Sequence, residues 1–288
     1  RQFAPMPVDL APASPRGGGW RELKPESGNG KRRDGVDLGA EWLEGSPRRQ
    51  YITAAAELGA LALDGQVLGL FASSHMSFEA LREADSTEPG IVEMTLAAID
   101  FLERRGNGYY LMIEGGRIDH GHHQGQPGLA LTEAQAFAEA VQAAVDSVDL
   151  EETLLIVTAD HSHVFTLAGY PTRGNDILGL VMGNDLAGEP LAYPTLAADG
   201  QPYTTVGYAN GRNAIRGPRP APETGLLAVA QALVPNEYTM INGEVGHDET
   251  HGGEDVAVYA IGPGSAAVRG VMEQERLFEI MLGAYGLD

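Results

Sequence analysis

Residues 114–123 read E-G-G-R-I-D-H-G-H-H and follow the apolar run Tyr109-Tyr110-Leu111-Met112-Ile113. Five apolar residues closed by a carboxylate predict a buried strand that ends at Glu114. Gly115 and Gly116 permit a sharp turn, and a helical turn after them places Asp119 and His123, four apart, on one face. A carboxylate and an imidazole so placed can bind one metal ion.

Two other stretches repeat the pattern. The apolar run Leu154 to Ala159 leads into Asp160-His161, and Glu249-Thr250-His251-Gly252-Gly253-Glu254-Asp255 leads into the strand-like Val256 to Ile261. Six of the eight histidines, His120, His122, His123, His161, His163 and His251, fall in these three places. Imidazole and carboxylate ligands suit zinc and an oxygen-rich set suits magnesium, so more than one ion is expected. The chain has no cysteine, which excludes disulfides and thiolate zinc sites.

E-G-G-R-I-D-H-G-H-H, T-A-D-H-S-H (Thr158 to His163) and E-T-H-G-G-E-D-V (Glu249 to Val256) resemble the three C-terminal metal motifs of alkaline phosphatases, in the same order. The resemblance implies Asp119, His123 and His251 as ligands of one zinc, Asp160 and His161 as ligands of a second, and Glu114 as a ligand of magnesium. His120, His122 and His163 are expected beside these ligands or facing solvent, and Arg117 in an ion pair or on a phosphate oxygen. His75 and His247 have no role in this reading.

The same resemblance implies a three-layer α/β sandwich with a largely parallel central sheet, helices on both faces and an inserted crown-like subdomain. Residues 1–173 and 248–288 then form the phosphatase domain, and residues 174–247 the insertion. It also implies hydrolysis of phosphate monoesters through a phosphoserine, a homodimer, and a periplasmic or secreted location. The alternatives are a related phosphodiesterase or sulfatase, or a metal-binding module without turnover.

This sequence departs from the family in the serine. The family's nucleophile stands in an Asp-Ser-Ala segment of its N-terminal half, whereas the Asp-Ser pairs here are Asp85-Ser86 and Asp146-Ser147, read as a helix start and a helix end. With Arg1 as its first residue, the chain is expected to be the C-terminal portion of a longer enzyme, its remainder supplying the serine and further strands. No catalytic nucleophile is assigned within it.

The 288 residues carry a formal charge of −21. Residues 1–50 hold nine Lys/Arg against seven Asp/Glu, and the rest ten against thirty-three. Such a body repels nucleic acid and anionic membranes, and phosphate esters too unless divalent ions invert the local potential. No apolar run is long enough for a membrane span.

Residues 1–46, rich in Pro and Gly, read as a loop-rich lead-in. A short strand over 50–53, a helix over 54–62 and a core strand over 66–71 follow. Ser86 or Thr87 is expected to cap a helix with Pro89 in its first turn and a stripe of Ile91, Met94, Ala98, Phe101 and Leu102. Thr132-Glu133-Ala134-Gln135 reads as the capping box of the next helix. With strands 109–113 and 154–159 it predicts a right-handed βαβ unit that brings Glu114 and Asp160 to one sheet edge. A strand over 179–182, a helix over 226–233 and a helix over 273–282 complete the reading.

Overall fold

The structure, a computed structural model, describes residues 16–106, 108–215, 217–235 and 248–287. Residues 1–15 of the lead-in, residues 236–247 of the insertion and His247 lie outside the described residues. The chain forms two compact units. One holds the described residues up to Glu114 together with Glu139–Val148, and the other holds Gly115–Ala138 and Asp149–Asp288.

The first unit opens with β1 (Arg16–Gly17), the short helices α1 (Trp20–Leu23) and α2 (Leu38–Glu44), and the strands β2 (Arg49–Ile52) and β3 (Gln66–Leu70). From residue 16 on, the lead-in thus contains short helices as well as loops. Asp37 starts α2 by accepting the Ala40 N–H at 3.0 Å. β3 lies between β1 and β2 and is parallel to both. Residues 55–60, expected to be α-helical, form a 3-10 helix.

α3 (Ile91–Glu103) begins later than expected. Pro89 biases Glu88 toward extended backbone, and Ser86 Oγ accepts the Glu88 N–H in the turn before the helix. Gly90 is the N-cap, and its N–H is taken by the Glu93 carboxylate at 3.0 Å. Phe101 joins Ile52, Leu58, Val67 and Phe71 in the unit's core, with Met94 and Leu102 packed against it.

Residues 108–115 correct the predicted βαβ unit. Their exposure alternates as in a strand, with Tyr110 and Met112 facing out, yet they pair with no strand among the described residues. A strand needs a ladder partner for its N–H and C=O groups, and an apolar run by itself does not supply one.

The second unit contains α4 (Arg117–His123), the start of α5 (Pro127–Ser147), β4 (Leu155–Val157), β5 (Ser162–His163), β6 (Phe165–Leu167), β7 (Val206–Gly211), β8 (Ala232–Pro235), β9 (His251–Gly252), β10 (Tyr259–Ile261) and α6 (Arg276–Ala284). Its sheets are small. β4 pairs antiparallel with β10 and β5 antiparallel with β9, while β7 runs antiparallel to β6 and parallel to β8. The protein is therefore α/β, and the sheets among its described residues are small and mixed in pairing.

Three other expectations are corrected in this unit. The strand over 179–182 is only a bridge between Leu180 and Thr204. Where a helix over 226–233 is expected, residues 226–231 form a turn and loop that lead into β8. α5 begins at Pro127, so Thr132 is interior and its hydroxyl donates to the Gly128 carbonyl at 2.8 Å. Pro127 suits that start, because the first helical position has no intrahelical use for an N–H.

Candidate metal centre

α4 is seven residues long and its end is written in the sequence. Gly125 takes φ +66°, its N–H donates to the His122 carbonyl at 2.7 Å, and the Gln126 N–H donates to the Gly121 carbonyl at 3.0 Å. This is the Schellman arrangement, for which glycine is the favoured residue. The helix therefore stops directly after His123.

Gly121 lets α4 lie against α5. A Cβ there would stand 2.6 Å from Ala130 N and 2.8 Å from Ala130 Cα, and these backbone atoms cannot give way cheaply. Gly121→Ala is expected to destabilise the protein by roughly 1–2 kcal/mol, overpacking outweighing the gain in helix propensity. Thermal unfolding checks this: an unchanged or raised midpoint would mean that the two helices can part freely.

The third segment is held from β7. Asn210 Nδ2 donates to Thr250 Oγ1 at 2.9 Å, and the Thr250 N–H donates back to Asn210 Oδ1 at 3.0 Å. The Glu249 N–H reaches the His123 carbonyl at 3.3 Å. β5 pairs His163 with His251 across the strands.

These supports bring four imidazoles around one carboxylate oxygen. Asp119 Oδ1 has His123 Nε2 at 3.1 Å, His163 Nε2 at 3.2 Å, His251 Nε2 at 3.5 Å and His161 Nε2 at 3.9 Å. His123 Nε2 and His251 Nε2 are 3.1 Å apart. Although buried, Asp119 Oδ1 accepts no aligned hydrogen bond among the described residues.

The outer nitrogens explain the inner ones. His123 Nδ1 donates to the Glu249 main-chain carbonyl at 3.0 Å, and His161 Nδ1 to the Ser162 carbonyl at 3.1 Å. Carbonyls only accept, so in the neutral rings the proton sits on Nδ1 and Nε2 keeps its lone pair. Lone pairs gathered around an anionic oxygen repel one another unless a cation lies among them. Ligands of a tetrahedral zinc with bonds of about 2.0–2.1 Å stand ~3.3 Å apart, close to the spacings among Asp119, His123 and His251. The donor set fits a zinc-like cation.

His122 packs beside this cluster. It stacks on His163 with ring centroids 4.7 Å apart, and its Nδ1 shares a hydrogen bond with Tyr208 Oη at 2.9 Å. Burial, reinforced by His163, lowers its pKa from 6.5 to about 4. Because the folded value lies below the unfolded one, the associated stability is present above pH 6.5 and is lost as the pH falls toward 4. Burial pushes the Tyr208 phenol up, and the Glu249 carboxylate adds to this. His251 is held low by burial and by His161, its stacked neighbour.

Residues 16–287 match the sequence model of the family described as "Alkaline phosphatase". The chain belongs to the alkaline phosphatase family. It is 40% identical to Drosophila melanogaster alkaline phosphatase 4 over 75% of this chain and 36% of that protein. To the tissue-nonspecific isozyme of Rattus norvegicus it is 38% identical over 89% of this chain and 47% of that protein. It thus spans about half, or less, of the length of these curated relatives. Among solved structures, alkaline phosphatase from the Antarctic bacterium TAB5 shares the fold, with a TM-score of 0.59 over 96% of this chain and 61% of that one at 20% identity. The fold is accordingly of the α/β alkaline phosphatase type.

Within this family member, the structure sets the Nε2 atoms of His123, His161 and His251 within 3.9 Å of Asp119 Oδ1. His163, expected beside the ligands or in solvent, is drawn into the cluster. Asp160 stands at its rim, 86% exposed, with Oδ2 3.7 Å from His161 Nε2. Glu114 belongs to the other unit, where it is exposed. His120 is contacted by the Arg117 guanidinium at 3.3 Å. Sequence reasoning gave Glu249 no role, although its side chain is fully buried between His123 and His163. Its place two residues before His251 in a strand-bound segment was the available signal.

Proposed function

We propose that the chain is the C-terminal, metal-holding part of an enzyme that hydrolyses phosphate monoesters with two zinc ions and one magnesium ion, through a phosphoserine whose serine lies outside these 288 residues. The observation that carries this reading is the convergence of four Nε2 atoms, from three separate motifs, on Asp119 Oδ1.

Asp119, His123 and His251 would hold one zinc, Asp160 and His161 the second, and Glu114 the magnesium. A substituted form of the TAB5 enzyme has Mg bound in its M3 site, in keeping with a mixed set of ions. When bound, such ions supply Lewis-acid stabilisation of phosphoryl charge and lower the pKa of the attacking hydroxyl. The chain's own residues set the stage for that chemistry. Asp119 supplies a shared anionic oxygen, the Nδ1 hydrogen bonds of His123 and His161 present Nε2 inward, and the acidic body draws divalent cations. Asp160 and the half-exposed His251 would leave the site open to a substrate, while His163 and Glu249 are closed off from solvent.

The rest of the polypeptide would supply strands beside residues 108–114, whose exposed Tyr110 and Met112 suit a covered position. It would complete the three-layer sandwich with its largely parallel sheet. Residues 174–247 would form the crown-like insertion used in a homodimer, and the enzyme would work in the periplasm or outside the cell. No helix among the described residues is long and apolar enough to cross a membrane.

The test is hydrolysis of nitrophenyl phosphate by a chain of the relatives' full length, supplied with zinc and magnesium. Turnover that disappears with a chelator and returns with the metals is the expected result. No turnover, or turnover indifferent to the chelator, overturns the proposal.

A further inference from the structure

We infer that Glu249 is the positioning residue of the metal centre, acting on it through His163. Its carboxylate has no exposed surface, and Oε1 accepts from His163 Nδ1 at 2.5 Å. His163 itself is nearly closed off from solvent, and its Nε2 faces Asp119 Oδ1 at 3.2 Å. Through its main-chain carbonyl the same residue also takes the Nδ1 proton of His123, at 3.0 Å. One glutamate thus turns two imidazoles, on two elements, so that both present Nε2 to the same oxygen.

A buried carboxylate is costly unless it is hydrogen-bonded or near positive charge. Among the described residues, Glu249 meets that requirement through the centre. Oε1 is also 3.4 Å from His123 Nδ1, while Oε2 is buried and accepts no hydrogen bond among the described residues. Its neighbourhood is not free to rearrange, because Asn210 clamps Thr250 and the Glu249 N–H reaches the His123 carbonyl. The side chain is therefore held where it can act on His163. His163 Nε2 stands with His161 and His251 around Asp119 Oδ1, among the atoms that could hold one ion, and removing a carboxylate that accepts the outer N–H of such a ligating imidazole costs ~10–100-fold in metal affinity.

The inference rests on the metal-centre reading and has its own test. Zinc affinity is measured by competition with a chromophoric chelator on the full-length protein, the Glu249→Ala and Glu249→Gln variants, and the same changes in a His163→Ala background. Glu249→Ala is expected to weaken zinc binding ~10–100-fold in the parent and to add little once His163 is gone, the mark of two residues acting as one unit. Glu249→Gln retains an acceptor oxygen for His163 Nδ1 and is expected to keep most of the affinity. An equal loss in both backgrounds, a Gln variant as weak as the Ala variant, or no loss at all overturns the inference while the metal-centre reading stands. A parent protein that binds no zinc overturns both.

Discussion

On the proposed function, Asp119→Asn in a chain of the relatives' full length is expected to lower kcat/KM for a phosphate monoester by ~10³-fold or more, the loss of several kcal/mol of metal-supplied charge stabilisation. Four imidazole nitrogens stand within 3.1–3.9 Å of the oxygen that this substitution neutralises. Asparagine preserves the shape, and its amide can turn an N–H toward the Nε2 lone pairs that the carboxylate leaves facing an anion. The metal-free protein should therefore be no less stable than the parent, while zinc binding falls steeply. Steady-state kinetics, zinc content and thermal unfolding of the chelator-treated protein read the three quantities. Activity within tenfold of the parent, or a destabilised metal-free protein with normal zinc content, would mean that Asp119 is a structural carboxylate.

Phe101→Ala is expected to cost about 3–5 kcal/mol of stability, the range for an aromatic deleted from a packed core. The ring is 1% exposed and touches the cluster of Ile52, Leu58, Val67 and Phe71. It also lies 5.4 Å beneath the Arg105 guanidinium, which donates to the carbonyls of Leu63 and Gly65. The ring thus joins α3 to β3 both by packing and through the arginine that ties the helix end to the turn before the strand. Denaturant unfolding checks the value. A loss below about 1 kcal/mol, the scale of a surface substitution, would show that the cluster does not hold the first unit together.

The readable parts of this protein were those with local causes. Asp119 and His123 are four apart, a spacing that puts both on one face of any helical turn, and they share a face of α4. The apolar stripe from Ile91 to Leu102 marked α3, and the apolar run after Gly65 marked β3. The misreadings lay where a local pattern allowed more than one structure. Thr132 and Gln135 can begin a helix or ride inside one, and α5 had already started at Pro127. Leu226 to Leu233 has helix-forming residues, yet its end, from Ala232, is taken into β8, which pairs with β7. Residues 109–113 alternate like a strand without a ladder among the described residues.

By itself the sequence determined which chemistry is available: nitrogen and oxygen ligands without thiolate, in three motifs placed beside apolar runs, on a body acidic enough to attract divalent cations. Only the tertiary structure decided which of those groups meet. His163 and Glu249 stand 86 residues apart along the chain, and His123 and Glu249 126. Spacing on one element fixes a face, because backbone geometry repeats over a few residues. Burial of a carboxylate, the tautomer of an imidazole and the partner of a strand depend on segments brought together from afar, and no local periodicity records them.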